Sequence, residues 1–171
     1  MKRKAQHRST SRALLIGIAF VASMVVSATA FAQSIVAVEH AIDGALALED
    51  HIHTASRNLT QMLGALTGSD VEAAHIVLSA RNEFHGAYSE VVTVGQLLME
   101  MKSAEDQSIA RQYFRESSRQ LVEAADEDVD YINKFLPDIH SAAVLAEATK
   151  IRDSMIGMRA IFAPFAAKAS T

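Results

Sequence analysis

The sequence predicts an all-α protein, an up-down-up-down antiparallel four-helix bundle that follows a cleaved signal peptide. Three observations carry this expectation. The 171-residue chain is rich in Ala, Leu, Glu and Met, with seven Gly, two Pro and no Cys or Trp, which is helix-forming material. Apolar residues recur at heptad-like spacing through the part beyond the leader. Three short breaks divide that part into four nearly equal pieces, and equal helices joined by short loops pack as antiparallel neighbours.

The leader comes first. Lys2, Arg3, Lys4, Arg8 and Arg12 precede an apolar run from Ala13 to Val26, and Ala30-Phe31-Ala32 places small residues before a cut at Gln33. That order is an export signal, so residues 1–32 are expected to be removed and residues 33–171 to form one periplasmic or secreted domain. Ala13 to Ala32 is also an uncharged stretch long enough to span a bilayer. Its Ala- and Ser-rich end favours cleavage, which leaves no membrane contact. Without Cys there is no lipid anchor at a thiol, no disulfide and no CxxCH haem attachment.

Helix one is expected over about 34–66, with a seam of Ile35, Val38, Ile42, Ala45, Ile52, Leu59, Leu63 and Leu66. Gly68 ends it, and Ser69 with Glu72 has the spacing of a capping box for helix two, about 70–102. Its seam is Ala74, Val77, Phe84, Tyr88, Val91 and Leu98. Ser103 and Asp106 suggest an N-cap for helix three, about 104–136, with Phe114, Leu121, Ala125, Ile132 and Phe135. This boundary has no Gly or Pro; a continuous helix through it would make an open hairpin that buries its seams only as a homodimer. Pro137 fits the first turn of helix four, about 138–168. That helix carries Val144, Ala148, Ile151, Met155, Met158, Phe162 and Phe165.

Charge narrows the partners. The leader holds five of the 16 basic residues and none of the 20 acidic ones, leaving 11 against 20 and a formal net charge of −9. An acidic surface disfavours nucleic acid and favours a divalent cation, a basic or cationic ligand, or a basic protein partner. No GxSxG, HExxH, phosphate-binding glycine loop or complete EF-hand loop is present, so a non-enzymatic binding or accessory role is the expectation and no cofactor is assigned.

Two polar constellations are candidate sites. Counting helical turns sets Glu49 and His53 level with His85, with Arg81 a turn further along and Asp153 at similar height on helix four. Glu49 and Arg81 fall on apolar seams, where charges require partners. Either a Glu49–Arg81 or an Asp153–Arg81 pair sets the helix register, or these residues line a ligand pocket in the bundle. At one end, the acidic run Asp126-Glu127-Asp128-Val129-Asp130 meets the starts of helices two and four. Asp126 and Asp130 share a face and, with His75 and His140, form a candidate metal set. The alternative is a solvated acidic face.

In length, export and architecture the chain resembles the exported b-type cytochromes, helical bundles that ligate haem through Met and His. The resemblance implies a metal- or haem-binding alternative in which His40 and Met155 or Met158 would be ligands, in the reverse order along the chain. In architecture it also resembles the four-helix sensory domains of bacterial receptors, which implies a ligand-binding or accessory subunit.

Overall fold

A computed structural model describes residues 7–166, with side chains from residue 35 onward. The leader and the cut after Ala32 therefore lie outside the residues whose side chains are described. The chain divides into two units, Met1–Ala37 and Val38–Thr171. The first is helical from His7; the second is a compact all-α four-helix bundle.

The helices are α1 (His7–Met62), α2 (Ser69–Glu100), α3 (Ala104–Phe135) and α4 (Ala142–Ala166). Within the bundle unit, contacts run in opposite directions along neighbouring helices. Glu49 and Ile42 of α1 meet Arg81 and Gly95 of α2. Ser117 of α3 bonds Glu90 of α2, and Arg152 of α4 reaches Asn133 of α3. Gly44 and Leu48 of α1 meet Ile161 and Gly157 of α4, which closes the ring.

The heptad seams are the core. Ile52, Leu59, Phe84, Leu121, Ile132, Ile151, Met155, Met158 and Phe162 have no solvent exposure, each contributing about 1.5–3 kcal/mol of transfer free energy. Side chains of α1 and α3 close over Gly95 of α2: a Cβ there would stand 2.8 Å from Ile42 Cδ1 and 3.0 Å from Phe114 Cε2. Any larger residue would push both away.

The connections depart from expectation in two places. The Ser69–Glu72 capping box does not form. Gly68, in the left-handed region at φ 61°, is the N-cap of α2 and makes no side-chain cap bond. The Ser69 hydroxyl instead donates to the Asp138 carbonyl at 2.9 Å. Helix four begins at Ala142, not at the proline: Leu136–Asp138, with Pro137 inside, is a 3-10 turn, and Ile139 is buried beneath it.

The reason lies across the bundle end. Asp70 accepts the backbone N–H of His140 at 2.7 Å and of Ser141 at 3.1 Å, which holds this strand of chain out of the helix. Ser141 then caps α4 by accepting from Val144 N–H at 3.4 Å. Asp70→Ala is expected to lower stability by about 1–2 kcal/mol in urea denaturation, as loss of two backbone partners implies.

The second boundary is a true break. Met101–Ser103 separates α2 from α3, and the Ser103 hydroxyl accepts from Asp106 N–H at 3.1 Å. The continuous α2–α3 hairpin does not occur.

Candidate functional site

The mid-height constellation assembles around Glu49. Its Oε1 accepts from Arg81 Nη2 at 3.0 Å and lies 3.1 Å from His85 Nδ1. Glu49 and Arg81 are 16% and 17% exposed, so the pair sits in the α1–α2 seam, whereas His85 is half exposed. The His85 ring lies 5.9 Å from that of Tyr88. Burial, with the Glu49 charge added, raises the Tyr88 phenol above its usual value.

Arg81 is only partly satisfied. Nη2 serves Glu49 and Nη1 donates to Asn82 Oδ1 at 3.2 Å, but buried Nε has no partner. The same seam holds two other buried polar atoms without partners, Glu49 Oε2 and Ser56 Oγ. Such atoms are costly when left unpaired.

A groove of about 410 Å³ opens beside Arg81 between α1 and α2, lined by His53, Ser56, Arg57, Thr60 and Asn82 among others, with no carboxylate. Of the candidate set, His53 and Arg81 line this groove, and Glu49 and His85 do not. Asp153 does not belong with them. It lies on the other side of α1, paired with Arg152 at 2.7 Å, and lines the groove between α1 and α4. Counting turns had placed it at the right height, but height carries no information about direction around the helix.

That second groove is larger, about 570 Å³, with Leu48, Ala55, His51, Glu147, Lys150 and Ser154 in its walls. Small Ala55 and Ser154 leave the space open. Glu147 is 13% exposed; its Oε1 accepts from Lys150 Nζ at 2.8 Å, and its buried Oε2 has no partner. Sequence reasoning passed over Glu147, although it precedes Ala148 on the buried stripe and so sits at the seam's edge. Arg57 was passed over too, although it follows His53 by four residues on the same face.

The candidate metal ligands are held by other partners or exposed. Asp126 pairs with Arg159 of α4. His140 Nδ1 lies 2.9 Å from the Asp138 carbonyl oxygen and 3.3 Å from Ser69 Oγ. His75 and Asp130 are exposed. Among the described residues, no three His, Cys, Asp or Glu side chains converge as a metal site would require.

The acidic run is not uniformly a surface feature. Asp128 is 8% exposed, and burial, with Glu83 and Glu127 nearby, pushes its carboxyl up to about 6. Its spacing, three after Ala125 and four before Ile132, was the signal. His40 is exposed while Met155 and Met158 are enclosed in the core, so these residues do not face a common haem site.

No described helix is long and apolar enough to cross a membrane. Compared with known family models, characterised proteins and solved structures, the chain matches none.

Proposed function

We propose that this chain is an exported, non-enzymatic binding or accessory bundle that takes a small amine with an apolar body in the α1–α4 groove. The observation that carries this reading is the buried Glu147 Oε2, without a partner, on a residue that lines the α1–α4 groove with Leu48 and Ala55. A carboxylate oxygen with no donor in a partly apolar cleft is complementary to an ammonium group. The acidic balance of residues 33–171 draws cations toward it. Export rests on the basic, apolar and small-residue order of residues 1–32.

The test is calorimetric titration of the protein, expressed as the full chain and recovered after export, with benzylamine and its neutral counterpart benzyl alcohol. Benzylamine is expected to bind better, and Glu147→Gln to weaken it at least about tenfold, as loss of a charge-assisted hydrogen bond implies. Equal binding of amine and alcohol, or an unaffected Glu147→Gln variant, would show the reading to be wrong. A product that retains residues 1–32 would remove its export half.

A further inference from the structure

We infer that the α1–α2 groove is a second, independent site, for a small oxyanion such as a carboxylate or phosphate. Its charge is opposite to that of the α1–α4 groove. Residues 33–171 carry nearly twice as many acidic as basic side chains, yet this groove is lined by Arg57, Arg81 and His53 and by no Asp or Glu. A cationic, carboxylate-free cleft on an acidic protein concentrates anions locally against the overall field.

The unpartnered donors point the same way, while Glu49 Oε2, an acceptor buried without a partner in the same seam, stands behind Arg81 outside the groove lining. Glu49 and Asn82 occupy the two Nη atoms of Arg81 and leave Nε unpartnered. Ser56 Oγ, from the same groove wall, is likewise buried without a partner. Arg57 has no hydrogen-bond or ion-pair partner among the described residues. An oxyanion seated here would accept from the exposed Arg57 guanidinium, whose planar fork suits carboxylate and phosphate geometry, and, once the enclosed Arg81 and Ser56 side chains turn toward it, from Arg81 Nε and the Ser56 hydroxyl. Glu49 has a positioning role: it holds Arg81 by Nη2 at 3.0 Å.

The experiment is calorimetric titration of the purified protein with succinate and, separately, with inorganic phosphate, each at low ionic strength. The variants are Arg57→Gln and Ser56→Ala, which remove no observed side-chain partner, and Lys150→Gln as a control in the other groove. Thermal melting of each variant confirms folding. At least one probe is expected to bind with Kd below about 1 mM. Arg57→Gln should weaken it about tenfold and Ser56→Ala severalfold, with Lys150→Gln unchanged. Succinate alone, phosphate alone or both binding would assign the site to carboxylates, to phosphates or to oxyanions generally. Failure of both probes, or equal weakening by Arg57→Gln and Lys150→Gln, would overturn the inference; the second outcome would indicate diffuse charge attraction. Neither result bears on amine binding at Glu147, which is read separately.

Discussion

Replacing Phe114 by Ala should destabilise the bundle by about 3–5 kcal/mol, the usual loss for a large buried aromatic. Phe114 is 3% exposed and joins the helices at one end of the bundle. Its ring lies 6.2 Å from Phe162 and 5.3 Å from Phe165 of α4, both in edge-to-face geometry. On its other side it fits against Gly95 of α2, in the space that Ile42 of α1 also enters. Truncation removes the aromatic pairs, worth about 0.5–1.5 kcal/mol each beyond area, and leaves a cavity that these neighbours cannot fill. Because α3 has the fewest large apolar residues, little else there offsets the loss. Net stabilities of such domains are about 5–15 kcal/mol, so the melting temperature should fall on the order of 10 °C or more. Urea denaturation gives the direct measure. A loss below about 1 kcal/mol would mean that this end of the bundle is not packed as described.

The second large effect is a gain. Asp128 is buried against α2 with its carboxyl raised to about 6, first by desolvation and then by Glu83 and Glu127. In the unfolded chain the group titrates near 3.9. Between those values the folded chain holds a proton that the unfolded chain has released, so stability falls as pH rises from about 4 to about 6 and stays at the lower level above that. The cost at neutral pH is on the order of 2 kcal/mol, allowing for residual solvent screening. Asp128→Asn removes the charge and retains the shape. It should gain about 2 kcal/mol at pH 7.5 and almost nothing at pH 4, read from urea midpoints at the two pH values. An equal gain at both would assign the effect to packing, and a loss at pH 7.5 would assign the carboxylate a partner that stabilises it.

Both effects depend on what surrounds a residue, and the same distinction separates the two candidate grooves from the rest of the molecule. The seams were legible because helical periodicity is local. Val77, Phe84, Val91 and Leu98 recur at seven, and all are buried in α2. The Ser103–Asp106 cap was legible for the same reason, since a hydroxyl and an N–H three residues apart meet within one turn. That Glu49 and Arg81 need partners could also be read, because both charges fall on apolar seams; spacing left Glu49 and Asp153 both open as the partner of Arg81, and packing chose Glu49.

Other features could not be read locally. Asp70 interrupts the start of α4 from 70 residues away, and no local pattern announces it. The Ser69 hydroxyl was available for a cap and was taken by Asp138 across the bundle end. Asp153 matched Arg81 in height but lies on the opposite side of α1, because turn counting measures distance along a helix and not direction around it.

Sequence by itself therefore determined the helical class and the core residues, both consequences of spacing along one chain. Only the tertiary structure decided that Asp128 is buried, that Glu147 Oε2 and Arg81 Nε lack partners, and that Glu147 and Arg81 line separate grooves on either side of α1. Burial and hydrogen-bond satisfaction are properties of neighbours brought from distant positions, and those neighbours are chosen when the helices pack.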